Sequence, residues 1–355
     1  MCPPREDDWQ NDGLALDVED ESGPVKSRWK LLLTRAPAIV GLVLLIAAVV
    51  VIWRELRNLS LRDIARSLSD IPDGALLAGA GATFLSYFIL SFYDRLGCLH
   101  VRADVSFKRS SFAAFCSYVL SHNLGCAAIS GAAVRFRLYR SWGVAPADIA
   151  QIIAFCSATY LLGTLALVGS ILTIEPHAIP VLSHLPAFLL RLAGLGCWGI
   201  LAAYVVFSRI RRHVKIWRYE IEIPSTGIAI AQIAVSAADM AATALIAYSV
   251  LPPLPPEAHF GFGTFLAIYI ASYTAGLVAS VPGGLGVFDS AMLLALRPYL
   301  PVPEIMGAIL VFRLFYYIIP LVMAGLMFAG HELFLRGEQA LVSAGQAPRR
   351  IRPSQ

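Results

Sequence analysis

Six stretches of the chain stay apolar long enough to cross a membrane: residues 36–53, 74–92, 149–174, 186–208, 226–251 and 303–330. A spanning helix needs about 20 mostly apolar residues to match a hydrocarbon core of about 30 Å. Two more apolar stretches are interrupted. Residues 107–133 break around Ser121-His122-Asn123-Leu124-Gly125, and residues 262–296 break at Pro282-Gly283-Gly284-Leu285-Gly286. Glycine and proline there free backbone polar groups that hydrocarbon does not tolerate unless protein or a wet cavity surrounds them. Between the first two spans, Ser60-Leu61-Arg62-Asp63 has capping-box spacing. Leu61, Ile64, Ala65, Leu68 and Ile71 then share one helical face, which predicts a short helix lying in the interface.

Charge placement decides how the interrupted stretches run. Lys and Arg collect on cytoplasmic loops. Arg209, Arg211, Arg212, Lys215 and Arg218 form one cluster and Arg135, Arg137 and Arg140 another, whereas residues 175–185 and 252–261 contain neither Lys nor Arg. Full crossings at both breaks would put the Arg209 cluster outside whenever the N-terminus is inside. If each instead folds as a re-entrant hairpin, the first from the inside and the second from the outside, every short loop fits except residues 54–66. The predicted architecture is therefore an all-α polytopic membrane protein with six full spans, two opposed re-entrant hairpins and both termini cytoplasmic. Opposed hairpins are also what an inverted repeat produces, as in transporters whose substrate meets broken helices near the midplane.

Composition agrees. Of 355 residues, 57% are hydrophobic and 15% charged, against roughly 25% charged in soluble domains. Residues 1–25 hold eight acidic residues against Arg5 alone, leaving 27 basic and 16 acidic residues in the rest. The chain thus divides into an acidic tail over 1–25, a basic membrane body over 26–335 facing anionic lipid, and a short polar tail over 336–355. This excludes a secreted disulfide scaffold, a disordered protein and a soluble nucleic-acid binder. No basic start followed by an apolar stretch marks a signal peptide. The six cysteines form no CxxC pair and read as small core residues, so no metal site, disulfide framework or cofactor is expected.

An ionisable group near the bilayer centre costs roughly 2.5–3.5 kcal/mol on insertion scales, which makes it a functional candidate. Asp239 lies mid-span within Ser236-Ala237-Ala238-Asp239-Met240. It is either a proton or cation site or a structural partner of an arginine such as Arg313. Arg313, within Val311-Phe312-Arg313-Leu314, pairs with Asp239 or Asp289, or binds a phosphate. Asp94 and Arg95 end the second span, where an interfacial ion pair is cheap. Arg135 and Arg137 diverge by about 200° on a regular helix, so they clamp one phosphate only on irregular backbone; with Arg140 they also serve as a plain positive-inside signal. His122 and Asn123 at the first break line a cavity or satisfy backbone groups. Gly283, Gly284 and Gly286 open the short helix 287–296, whose free N–H groups suit an anion, although Asp289 in its first turn complements the dipole itself. The run follows no strand, so it is not a dinucleotide fingerprint, and no Ser/His/Asp, zinc-ligand or Walker constellation appears.

Ser121-His122-Asn123-Leu124-Gly125, with Ser130-Gly131-Ala132-Ala133-Val134-Arg135-Phe136-Arg137-Leu138-Tyr139-Arg140, resembles the first broken segment of the lysylphosphatidylglycerol synthetase transmembrane region, the membrane half of the bacterial multiple peptide resistance factor. Tyr93-Asp94, Ala238-Asp239 and Val281-Pro282-Gly283-Gly284-Leu285-Gly286-Val287-Phe288 look like its other signatures, over about residues 35–332. The chain departs from that pattern at Cys126-Ala127-Ala128. The resemblance implies a bacterial inner-membrane protein that moves aminoacylated phosphatidylglycerol between leaflets. It also implies no synthase activity, because the acyltransferase-like domain of that family finds no counterpart before Gln355.

A lipid translocase would bind phosphate through Arg135, Arg137 or Arg313 and a cationic headgroup through Asp94 and Asp239, with His122, Asn123 and Asp289 lining the route. The expected partners are anionic or aminoacylated phospholipid, a separate aminoacyltransferase and a second copy of the chain. Two other classes stay open: an ion-coupled small-solute carrier with Asp239 as its proton site, and an accessory membrane protein in lipid-linked aminoacyl or sugar transfer.

Overall fold

A computed structural model describes residues 71–124, 127–177, 184–211, 213–216, 219–252, 260–279 and 282–331. The expected span at 36–53, the interfacial helix after Ser60 and both polar tails lie outside the described residues.

Five helices among the described residues are long and apolar enough to span a membrane. They are α1 (Asp73–His100), α4 (Pro146–Ile174), α5 (Ala187–Ile210), α6 (Thr226–Ser249) and α9 (Val302–His331), and they coincide with five of the six predicted spans. Proline fixes several starts. Pro72 precedes α1, while Pro146 and Pro303 sit in the first turns of α4 and α9, with Asp73, Asp148 and Glu304 in those turns to meet the helix dipole. The interrupted stretches give two helix pairs: α2 (Phe107–Leu124) with α3 (Ala127–Ser141), and α7 (Phe262–Val278) with α8 (Val287–Leu296). Among the described residues the fold is helical apart from one short antiparallel hairpin between α5 and α6, β1 (His213–Ile216) and β2 (Tyr219–Glu222), in the register His213 to Glu222.

Members of each pair pack against one another and do not continue in line. Contacts at the two ends of the bundle show the direction of each pair. The start of α2, the end of α3 and the end of α9 meet where the His331 ring lies 5.3 Å from Phe112 and 6.1 Å from Trp142. The start of α7 and the end of α8 lie at the opposite end. There Tyr248 at the close of α6 packs on Phe262, Phe260 packs on Tyr299, and Thr264 Oγ1 donates to Glu175 beyond α4. The two hairpins therefore enter from opposite ends of the bundle. Their tips meet, since α2 touches the tight turn Pro282–Gly284.

Small residues set the close crossings, as expected where lipid offers no hydrophobic drive between helices. A Cβ at Gly163 of α4 would run into Ser236 of α6, and one at Gly194 of α5 would reach Thr173 and the Gly169 carbonyl of α4. α1 packs along α6 at the centre of the bundle, whereas α5 is mostly exposed.

Candidate functional site

Each hairpin is tied to a spanning helix by one bidentate ion pair. On α3, Arg135 Nε donates to Asp94 Oδ1 at 2.9 Å and Nη2 to Oδ2 at 2.8 Å. Asp94 lies on α1, and its side chain is wholly buried. Tyr139 adds a hydroxyl donor to Asp94 Oδ1 at 3.0 Å, and the Arg135 guanidinium sits 4.5 Å from the Tyr118 ring centre. At the other hairpin, Arg313 of α9 donates through Nε and Nη2 to Asp289 of α8 at 2.8–3.0 Å. Arg313 Nη1 also reaches the Gly283 carbonyl at 3.4 Å, and Asp289 Oδ2 accepts from the Gly286 N–H at 2.9 Å.

The structure corrects one expectation and decides between stated alternatives in two others. Asp94 does not pair with Arg95 at an interface, because α1 continues to His100 and places Asp94 inside; Arg95 donates instead to the Val105 carbonyl at 2.8 Å. Asp239 does not pair with Arg313, whose guanidinium Asp289 takes. Arg135 and Arg137 do not converge, because α3 is regular and turns them about 200° apart. At the start of α8, the Asp289 carboxylate already occupies the position that an anion would take over Gly286.

The second break works through backbone conformation. Gly283, Gly284 and Gly286 have φ of 60°, 63° and 79°, in the left-handed region where a side chain costs about 1–2 kcal/mol. A Cβ on Gly284 would also lie 3.2 Å from Phe288 Cβ. Gly284→Val is expected to lower the thermal midpoint of the purified protein measurably, while Gly81→Val, at a helical position with nothing near its missing Cβ, shifts it little.

Between the hairpin tips lies a small cavity of about 30 Å³, lined by Asp239, His122 and the rings of Tyr93, Tyr118, Tyr160, Tyr269, Tyr273 and Tyr316. On that measure a water needs roughly 10–15 Å³, so the space holds about two waters. Asp239 is 6% exposed and is held by hydroxyls: Ser86 Oγ donates at 2.8 Å and Tyr93 OH at 3.3 Å. No ion pair is formed by Asp239 among the described residues. His122 stacks on Tyr316 with ring centres 5.3 Å apart. Asn123 does the other job, with Nδ2 donating to the carbonyls of Val119 at 2.8 Å and Tyr317 at 3.5 Å.

The tyrosine lining is what sequence reasoning missed. Its signal was present as Tyr269 and Tyr273, and as Tyr118 and His122, each four residues apart and so on one helical face. Also unforeseen is the π-helical turn Leu314–Ile318 within α9. Such turns shift the backbone ladder, and here the carbonyls of Tyr316 and Tyr317 accept from the side chains of Tyr87 and Asn123. Pro320, which has no N–H to give the Tyr316 carbonyl four residues before it, is the mark of that turn in the sequence.

The family described as Lysylphosphatidylglycerol synthase TM region matches residues 38–324. The uncharacterised protein slr0712 of Synechocystis is 31% identical over 86% of this chain and 94% of its own length. The inner membrane protein YbhN of Escherichia coli is 26% identical over 84% of this chain and 91% of its own. A phosphatidylglycerol lysyltransferase of Staphylococcus aureus is 25% identical over 79% of this chain, which corresponds to 32% of that protein. With a helical bundle of five described spans and a family match covering most of its length, this chain is a polytopic membrane protein that belongs to the lysylphosphatidylglycerol synthase transmembrane-region family.

Proposed function

We propose that the chain carries a phospholipid headgroup between the leaflets of the bacterial inner membrane, with phosphatidylglycerol or an aminoacylated form of it as substrate. One observation supports this most: two hairpins from opposite ends of the bundle meet at a small cavity lined by Asp239, His122 and tyrosines, and each is latched to a spanning helix by an Arg–Asp pair, buried at Asp94 and partly buried at Asp289. A guanidinium that grips a carboxylate in two parallel hydrogen bonds grips a phosphate the same way. A headgroup phosphate can therefore replace Asp94 on Arg135, or Asp289 on Arg313, and free one hairpin at a time. The cavity holds about two waters, which makes this a closed form; a headgroup enters only when a latch opens. The end of the bundle at Arg109, Arg140 and Arg211 is the basic one, which makes the close of α9 cytoplasmic in this scheme; the N-terminus joins it there if the expected span at 36–53 crosses once before α1.

The test is leaflet-resolved. Vesicles containing the purified protein and a fluorescent phosphatidylglycerol analogue are treated with an impermeant quencher. Translocation predicts that the quenched fraction rises beyond the outer-leaflet share, and that Arg313→Gln abolishes the rise. Quenching confined to the outer-leaflet share under every condition refutes the proposal. The ion-coupled solute carrier is favoured by Asp239, which has hydroxyl partners and no guanidinium. It predicts solute uptake that collapses with the proton gradient while lipid stays in place.

A further inference from the structure

Among the described residues, three carboxylates lie within the bundle, and they are not equivalent. Asp94 and Asp289 each hold an arginine, whereas Asp239 holds only hydroxyls. A carboxylate out of water without a cation is costly, and one proton removes that cost. The groups facing Asp239 are Tyr93 on α1, Tyr118 and His122 on α2, Tyr160 on α4, Tyr269 and Tyr273 on α7, and Tyr316 on α9. Arg135 stacks on Tyr118 of that lining and is already bound to Asp94, and Arg313, one turn from Tyr316 on α9, is bound to Asp289. His122 alone among these offers an imidazole, and its buried Nδ1 has no hydrogen-bond partner.

We propose that Asp239, with His122 across the cavity, is a proton-binding site whose loading and unloading is coupled to passage of the headgroup. This rests on the translocase reading above. The local hydrogen bonding fits both protonation states. Ser86 Oγ lies 2.8 Å from Asp239 Oδ1 and 2.9 Å from Thr243 Oγ1. A hydroxyl is both donor and acceptor and rotates freely. With Asp239 ionised, Ser86 donates to it; with Asp239 protonated, the new carboxyl O–H donates to Ser86, which turns to donate to Thr243. Ser86, Thr243 and the Asp239 carboxyl each keep a hydrogen-bond partner in either state. The proton enters from water at whichever end of the bundle is open, adds to a carboxylate oxygen, and leaves as H⁺ to the other side. The His122 imidazole nitrogen is the relay that faces it from the tip of the first hairpin. Each cycle then moves one positive charge with or against the headgroup.

The test uses the full chain in proteoliposomes with a trapped pH-sensitive dye and the fluorescent phosphatidylglycerol analogue. Infrared difference spectra of the protonated-carboxyl stretch are recorded on the same protein. In the parent chain, an imposed pH gradient is expected to change the translocation rate by roughly tenfold, with proton flux that follows lipid flux. Asp239→Asn should lose both the gradient response and a titrating carboxyl band, and His122→Gln should weaken the response while keeping the band. Lipid movement that ignores the gradient and carries no proton flux overturns the proton site and leaves the translocase standing. Proton flux with no lipid movement keeps the proton site and removes the translocase. An Asp239→Asn protein that loses only amine-bearing headgroups, with the gradient response to phosphatidylglycerol intact, shows the carboxylate to be an ammonium site and overturns the proposal.

Discussion

Arg135→Ala alone is expected to destabilise the protein by about 3–5 kcal/mol, because it leaves a buried carboxylate without its cation. Asp94 has no exposed side-chain surface, and its remaining partners would be the Tyr139 hydroxyl at 3.0 Å and the Cys156 thiol at 3.8 Å. Neither carries positive charge. The converse, Asp94→Leu, strands the guanidinium against the Tyr118 ring, where a cation–π contact is worth about 0.5–2 kcal/mol and offsets only part of the loss. Replacing both partners with apolar groups of similar volume, Asp94→Leu with Arg135→Met, removes the charges together. Stability should then return to near that of the parent, since well-packed apolar substitutes for a buried pair are often neutral or better. Translocation should not return with it, because the proposed phosphate exchange at Arg135 is gone. Thermal unfolding in detergent measures the first effect and the vesicle quenching assay the second. A stable single variant would show that the pair does not latch the hairpin, and an active double variant would show that the headgroup does not use Arg135.

Why the sequence revealed the spans and not these partners follows from what each depends on. A span is a local property. The apolar runs at 74–92, 149–174, 186–208, 226–251 and 303–330 each became one helix, because the backbone of a membrane segment must satisfy itself within that segment. The breaks were legible for the same reason. Gly283, Gly284 and Gly286 take left-handed backbone that few other residues adopt, and Pro282 opens that turn. Partner choice is not local. Asp94 meets Arg135 across 41 residues and Asp239 meets Ser86 across 153. The apparent end of the second span at Phe92 misled because a charge normally marks the interface. Here α1 runs eight residues further, since Arg135 neutralises Asp94 from another helix. Asp289, not Asp239, takes Arg313 because the capped first turn of α8 presents its carboxylate to α9. The cavity lining was hidden differently. Tyrosine counts as apolar along a span, yet its hydroxyl is a polar handle once six of them converge.

The crossing of α4 and α6 predicts the second large effect. Gly163 of α4 lies so close to Ser236 of α6 that an added Cβ would fall within its side chain, and the Ser236 carbonyl carbon would be 2.7 Å away. The clash is therefore with backbone as well as with a movable hydroxyl, so rotating Ser236 cannot relieve it. Gly163→Val is expected to lower stability by about 1–3 kcal/mol, the usual range for overpacking a tight contact. The consequence extends to the cavity. Tyr160 lies about one turn before Gly163, and Asp239 about one turn after Ser236, and both line it. Splaying the helices separates these two walls and admits water to Asp239. Ser236→Gly should rescue Gly163→Ala only in part, because the backbone contact persists. Thermal unfolding of the single and double variants tests the packing, and labelling of a cysteine placed at Thr243 by a water-soluble thiol reagent tests the opening. Labelling that rises in Gly163→Ala and falls back partway in the double variant is the expected result. A Gly163→Val protein as stable and as sealed as the parent would mean that α4 and α6 do not pack through this contact in the membrane.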